Sequence, residues 1–342
     1  MPQNHASKKP AGNNRTLCLS AEERARLRPR LVTGAQLGAL SAVANRTVWG
    51  DMFAALPRLP AASIDLLIID PPYNLHKAFG ARQFKQQTSA AYSAWVLSWC
   101  RLLPRLLKPD ASVYICCDWR SSFSIFTAAS EFFEVLNRIT WEREKGRGAK
   151  SNWKNCSEDI WFFVNGKNYT FNADAVRSKR RVLAPYRNNG QPKGWGQETD
   201  GNFRLTAPSN LWTDITIPFW SMPENTDHPT QKPEKLIAKL ILASSNQGDM
   251  VLDPFLGSGT TSVVCKKLNR QYIGIEQDEE FCLLAEKRLE MAAADRSIQG
   301  LQNGIFWERN TLAWQAKQGG RPLAAKTGNG KKETARYQSQ LF

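Results

Sequence analysis

Met250-Val251-Leu252-Asp253-Pro254-Phe255-Leu256-Gly257-Ser258-Gly259-Thr260-Thr261 is the stretch on which the fold turns. Three apolar residues run into a turn of small residues, a helical pattern follows over 260–268, and a second β-rich run covers 272–276. Strand, glycine turn, helix and strand make a βαβ unit, the building block of a parallel sheet. Small residues let the backbone come close to a ligand, and the free amides at the helix start favour an anionic group. Glu276 ends the next strand, where a carboxylate can accept hydrogen bonds from both hydroxyls of a ribose. The unit reads as a nucleoside-cofactor pocket at the carboxyl edge of a sheet.

Outward from this unit the same rhythm continues. Strands are expected at 66–70, 112–117 and 159–164, besides 250–253 and 272–276, and helices at 91–107, 233–244 and 260–268. The fold class is therefore α/β, a mainly parallel sheet with helices on both faces. A second turn, Asp70-Pro71-Pro72-Tyr73-Asn74, follows the apolar Leu66-Leu67-Ile68-Ile69. Two prolines fix the backbone and lack N–H groups, so the Asp70 carboxylate and nearby carbonyls present acceptors with no competing donor between them. An exocyclic amine could be held there by its hydrogens with its lone pair aimed at an electrophile, while Tyr73 offers a ring face to a base. A plain strand-ending turn is the competing account of either motif alone. Together, at one edge of an open α/β sheet, they describe a cofactor and a base meeting across it.

The chain has 342 residues, enough for one large core with appendages, and 46 Lys+Arg against 31 Asp+Glu leave a formal charge of +15. That balance favours a polyanionic partner through counterion release. No apolar run is long enough to cross a bilayer and no signal peptide is evident, so a cytoplasmic location with no membrane partner is expected. Cys18, Cys100, Cys116, Cys117, Cys156, Cys265 and Cys282 are scattered without a C-x-x-C pair, which fits reduced thiols and no metal site. Residues 1–45 form a basic arm, with Lys8, Lys9, Arg15, Arg24, Arg26, Arg28 and Arg30 against Glu22 and Glu23, and 296–342 form a basic tail. Between them lie a catalytic half at 46–171, an irregular insertion at 172–227 and a cofactor half at 228–295. The insertion carries Arg177, Lys179, Arg180, Arg181, Arg187 and Lys193 with Tyr186 and Trp195, a mixture suited to phosphate contact and stacking. The loop 75–91, with Lys77, Arg82 and Lys85, could close over a nucleotide. A solvated basic surface is the plainer account of both.

Asp70 to Asn74, Asp253 to Thr261, the intervening His228-Pro229-Thr230-Gln231-Lys232-Pro233 and Glu276 resemble the amino-methyltransferase family of DNA modification enzymes. Their order is similar to the beta class: catalytic motif, basic variable region, cofactor motif. The resemblance runs from roughly Val48 to Met291. It implies a Rossmann-like seven-stranded mixed sheet, S-adenosyl-L-methionine as cofactor, double-stranded DNA as partner and a flipped target base. Carried over, Asp70, Pro71, Pro72 and Tyr73 are catalytic. Gly257, Ser258, Gly259 and Thr260 surround the methionine end of the cofactor, with Asp253 and Phe255 in the same turn. Glu276 holds the ribose, Thr230 and Lys232 close the pocket, and Asp51 after Gly50 contacts the adenine or simply caps a helix. A cognate restriction endonuclease is the implied functional partner, and the enzyme itself a monomer or homodimer.

Asp at the first motif position is similar to the adenine N6 enzymes, with cytosine N4 as the alternative. Cytosine C5 chemistry is disfavoured because no cysteine follows a proline. An NAD-dependent enzyme stays an alternative, although Ser262 stands where the dinucleotide fingerprint needs Gly or Ala. An RNA substrate and a catalytically idle nucleic-acid-binding module are the other competitors.

Overall fold

The computed structural model describes residues 14–79, 82–143, 151–182, 186–198 and 201–307. Its centre is an eight-stranded sheet. In chain order the strands are β1 (Arg46–Trp49), β2 (Ile64–Ile69), β3 (Leu107–Cys117), β4 (Glu134–Glu142), β5 (Ser157–Val164), β6 (Leu211–Trp212), β7 (Met250–Asp253) and β8 (Gln271–Glu276). Across the sheet they lie β1-β8-β7-β2-β3-β5-β4-β6. Every neighbouring pair is parallel except β3 with β5 and β5 with β4, so β5 alone runs against the rest. The expected seven strands become eight because two residues of the insertion, Leu211 and Trp212, pair with Thr140 and Trp141 and extend the edge.

Alternation along the central strands explains why both faces are covered. Leu67 and Ile69, Val113 and Ile115, and Leu252 point into one apolar cluster, which also holds Tyr92, Val96 and Trp99 of α2 (Ser89–Cys100). Leu66 and Ile68, Tyr114 and Val251 point into the other. That second cluster holds Leu236, Ile237 and Leu240 of α4 (Glu234–Ser244), Val263 of α5 (Thr260–Lys267) and Leu289 of α6 (Glu279–Ala294). A strand buried on both sides reads as an apolar run, which is how β2 and β7 look in sequence. Between β3 and β4, α3 (Ser122–Ala129) completes the first layer. The helix expected at 91–107 stops at Cys100, and Pro104 opens a separate 3-10 turn, since proline cannot donate into a preceding helical turn.

Both basic ends depart from expectation. Residues 20–30 begin with α1 (Ala21–Leu27), capped by a reciprocal Ser20–Glu23 box, and Leu27 and Leu31 pack on Phe281 and Leu284. Arg24 pairs with Glu280, Arg28 with Glu279, and Arg26 and Arg30 with Glu290, so these cations belong to the seam with α6 rather than to a free arm. Ile305–Trp307, expected in the tail, pairs in parallel with Ser178–Arg181 of the insertion. The insertion itself is ordered: with 196–198, 201–206 and 301–302 these strands make a second sheet of five. A buried aspartate anchors the region, Asp214 accepting from Lys239 at 2.8 Å. Lys8 and Lys9, and everything after Trp307, lie outside the described residues. No helix among the described residues is long and apolar enough to cross a membrane.

Candidate active site

β2, β7, β8 and β1 end at one edge, and their loops surround a single cavity of about 400 Å³. Asp70, Pro71, Pro72 and Tyr73 line it from β2, and Asp253, Phe255, Gly257, Ser258 and Thr260 from β7. Glu276 from β8, Asp51 from the loop after β1, and Thr230 and Lys232 from the segment before α4 complete the wall. The two motifs read from sequence therefore share one cleft.

The glycine turn works through its backbone. Gly257 has φ +54°, and a Cβ there would lie 2.8 Å from His228 Nε2. Its amide donates to Glu276 Oε2 at 2.9 Å, and Asp278 N donates to Oε1 at 2.8 Å. Glu276 is thus fixed before any ligand arrives, with lone pairs left to accept. Burial pushes its carboxyl above the usual range, against those amide bonds. Gly259 does not line the cavity. Its φ is +86°, and a Cβ would meet the Cβ of Ala285 at 2.5 Å, so it serves helix packing between α5 and α6. The Asp253 carboxylate is likewise turned inward, accepting from Phe255 N at 3.0 Å and Thr261 Oγ1 at 2.6 Å. Burial pushes it to about 7. Phe255 packs its ring edge-on against Trp95 and Trp99, at 6.1 and 5.9 Å. Asp51 caps the short helix Met52–Ala55 by accepting from Phe53 N at 2.8 Å while still lining the cleft.

The Asp70 turn works through charge. Lys232 Nζ lies 2.7 Å from both oxygens of Asp70, 3.0 Å from the Tyr73 hydroxyl and 3.2 Å from Glu158 Oε2. Asp70 is therefore not the donor-free acceptor expected from two prolines, and Lys232 reaches the Asp70 side of the cleft. Tyr73 lies within hydrogen-bond reach of Asp70 Oδ1, 3.0 Å, and Glu158 Oε2, 3.2 Å. Burial, then Asp70 and Glu158, raise its phenol well above the ordinary value, so it stays a donor. The Pro72 carbonyl accepts from Tyr92 at 3.0 Å, and Asn74 locks the turn by donating its amide to Ser121 Oγ at 3.1 Å.

Several lining residues escaped the sequence reading: Glu158 and its partner Arg143 line the cleft from β5 and the end of β4, and Phe53 and Phe281 line it elsewhere, beside His228, to which the sequence reading gave no role. Burial and the neighbouring cations push His228 down to about 3, so it is neutral at physiological pH. Arg288 of α6 clamps the glycine turn, donating to Ser258 O at 2.9 Å and Thr260 Oγ1 at 3.0 Å. A pattern of charges spread over four elements leaves no local signature.

The basic residues divide. Arg177, Arg181, Arg187 and Lys193 are exposed, Arg177 with Asp174 at 2.5 Å. Arg187 lies over Trp195 and Lys193 over Tyr186, at 5.2 and 5.7 Å. Arg180 is half-buried. Lys179 is buried, its ammonium 4.7 and 4.4 Å from the rings of Phe203 and Trp307, which removes it from any phosphate-contacting surface. Lys85 is exposed and Lys77 reaches the Pro229 carbonyl at 3.4 Å. The side chain of Arg82 lies outside the described part of the structure, its backbone pairing with Phe79 in a hairpin.

The model of the DNA methylase family matches residues 64–287. The chain is 36% identical over 259 residues to the DNA adenine methyltransferase YhdJ of Escherichia coli K12, covering 73% of this chain and 84% of that one. It is 35% identical over 249 residues to the type II methyltransferase M.HpaI of Haemophilus parainfluenzae, 72% and 74% of the two chains. Among solved structures, the cytosine-N4-specific PvuII DNA methyltransferase shares the fold with a TM-score of 0.54 at 19% identity, over 73% of this chain and 90% of that one. TTHA0409 of Thermus thermophilus, a putative DNA modification methylase solved with S-adenosyl-L-methionine, does so with a TM-score of 0.51 at 20% identity, over 78% and 98%. Matched over most of its length and carrying both turns in one cleft, the chain belongs to the DNA methylase family and is a DNA methyltransferase of the N6/N4 class.

Proposed function

We propose that this enzyme methylates the N6 amine of adenine in double-stranded DNA, with Asp70 to Tyr73 holding the extruded base and the glycine turn holding S-adenosyl-L-methionine. The observation that carries this is the shared cleft: the acceptors of Asp70 and the amides beside Gly257 open into one cavity. Its size, about 400 Å³, suits a nucleoside cofactor. Gly257 leaves room along the backbone, Glu276 offers fixed acceptors for ribose hydroxyls, and Asp51, Phe53 and Phe281 flank the space for an adenine. The bound cofactor supplies an electrophilic methyl on a sulfonium.

The chain's own residues prepare the nucleophile. Asp70 accepts one amine hydrogen, and because the Pro72 carbonyl is engaged by Tyr92, that of Pro71 is the second acceptor. Two such bonds draw electron density onto the nitrogen and pull it toward tetrahedral geometry. With the methyl supplied by the cofactor, Asp70 would be the group placed to take the surplus proton from the nitrogen. Tyr73, with its hydroxyl tied to the carboxylates, turns a ring face to the base.

For DNA, exposed Arg177, Arg181, Arg187 and Lys193 and the 66% exposed Tyr186 suit phosphate contact and stacking. Trp119, 60% exposed with Arg120 over its ring, follows β3 at the same sheet edge as Asp70 and offers a further stacking face. The likeness to a named adenine methyltransferase supports adenine over cytosine. The likeness to type II enzymes supports a role beside an endonuclease of the same recognition sequence. Transfer of labelled methyl into duplex DNA, followed by hydrolysis to nucleosides, tests the reading. N6-methyladenine is expected, and N4-methylcytosine or label only in RNA would overturn it.

A further inference from the structure

Lys232 sits between two carboxylates. Its ammonium contacts Asp70 at 2.7 Å through both oxygens and Glu158 at 3.2 Å, with 7% of the lysine side chain and 5% of the glutamate side chain exposed. Arg143 pairs with the other side of Glu158. Two anions and two cations therefore close on themselves beside the amine-binding turn. Each placement has a consequence. A carboxylate shielded from water without a cation takes up a proton, and a protonated Asp70 would present an O–H where an acceptor is needed. Two carboxylates sharing one ammonium compete for it, but Arg143 also pairs with Glu158, so a second cation relieves that competition while Lys232 chelates Asp70.

We propose that Lys232, backed by Glu158 and Arg143, is the positioning group that keeps Asp70 an ionised acceptor for the target amine, rather than a contact to the cofactor. This rests on the reading of Asp70 as the group that binds the amine. The main chain supplies the link to the other half of the site: the Lys232 carbonyl accepts from Thr260 Oγ1 at 3.1 Å, so the first residue of α5 sets where the lysine stands. The remaining titratable groups near Asp70 among the described residues are Tyr73, Tyr92, Cys116 and Asp253. Burial drives Tyr73, Tyr92 and Cys116 upward, so they stay neutral, Asp253 can add only negative charge, and the cation in contact with Asp70 is Lys232. Burial pushes the Asp70 carboxyl up, Lys232 opposes this, and Glu158 adds to it.

The test is the acid limb of the pH profile of kcat/KM for methyl transfer to duplex DNA, read in variants of opposite sign. Lys232→Met should move the limb to higher pH by about 1 to 3 pH units, and Lys232→Arg should bring it back toward wild type. Glu158→Gln should move it to lower pH, and because it keeps volume and one acceptor it carries the test alone if Lys232→Met does not fold. Calorimetry with S-adenosyl-L-methionine should give unchanged affinity in all three. An unmoved limb in Glu158→Gln, or lost cofactor affinity in Lys232→Met with the limb in place, overturns the proposal. Asp70→Ala separates the levels. If it retains turnover, the underlying reading of Asp70 fails. If it is inactive while the other variants leave the limb unmoved, only the role of Lys232 falls.

Discussion

Two aspartates end neighbouring strands at one edge of the sheet, Asp70 after β2 and Asp253 at the end of β7, and the molecule treats them in opposite ways. Asp70 receives a lysine ammonium, a tyrosine hydroxyl and a second carboxylate behind them. Asp253 receives a threonine hydroxyl and a backbone amide, with no cation, and burial drives it to about 7. The Asp70 carboxylate is held by side chains from distant elements. The glycine turn is also clamped from outside, by Arg288 and Glu276, but its own carboxylate is bound within the turn and is spent on shaping it. Position in the fold alone does not assign chemistry.

The largest expected effect breaks the pair apart. Asp70→Ala should lower methyl transfer by about 100-fold or more while calorimetry finds cofactor affinity preserved. Gly257→Val should abolish cofactor binding, because its Cβ would strike His228 in a left-handed backbone conformation. Loss of cofactor affinity in the first variant, or normal affinity in the second, would erase the distinction.

The pH dependence of stability sharpens it next. The folded-state value of Asp253 lies above the unfolded carboxylate value of about 3.9, so its contribution is present below pH 4 and is lost as pH rises through about 7. Asp253→Asn should remove that loss. Denaturant titrations at pH 4 and pH 8 should show wild type losing on the order of 2–4 kcal/mol more than the variant between them; parallel profiles would contradict it.

Gly259→Ala should cost about 1–3 kcal/mol, from a Cβ driven against Ala285, without the selective loss of cofactor affinity expected of Gly257. Equal effects on binding from the two substitutions would mean that both glycines face the ligand. The smallest effect concerns the DNA surface. Removing Arg187 or Lys193 should flatten the dependence of log Kd on log salt by about 0.9 for each phosphate no longer neutralised, whereas replacing buried Lys179 should leave that slope unchanged while lowering stability.

Much of this site is legible along the chain because both turns are written in consecutive residues. Pro71 and Pro72 restrict their own backbone, and Gly257 adopts a conformation that few other residues accept, so each motif announces its geometry locally. The strand 250–253 matches the observed Met250–Asp253, and Pro233 caps α4 where a helix start is expected. Weakly patterned elements were harder. β1 is only four residues long, β4 is bulged and mostly part-exposed without a regular alternation, and α3 lies in a polar-apolar mixture without a strong stripe.

Glu158 shows why the rest was hidden. It stands near the start of β5, and the start of a strand in a parallel sheet lies far from the carboxyl edge. Because β5 runs antiparallel to β3, with Cys117 opposite Asp159, its beginning arrives at the catalytic edge. Strand direction is a property of the assembled sheet, and nothing in the residues 157–164 records it. The arginines of α1 make the same point, since only the acidic face of α6 converts a basic run into a docked seam. The amino-acid sequence by itself determined the two turns, the βαβ unit between β7 and β8 and the basic character of the insertion, because backbone restriction, apolar runs and charge are local quantities. Only the tertiary structure decided that Lys232, Glu158 and Arg143 converge on Asp70, because that meeting depends on strand order, strand direction and burial, which arise when separate segments are brought together.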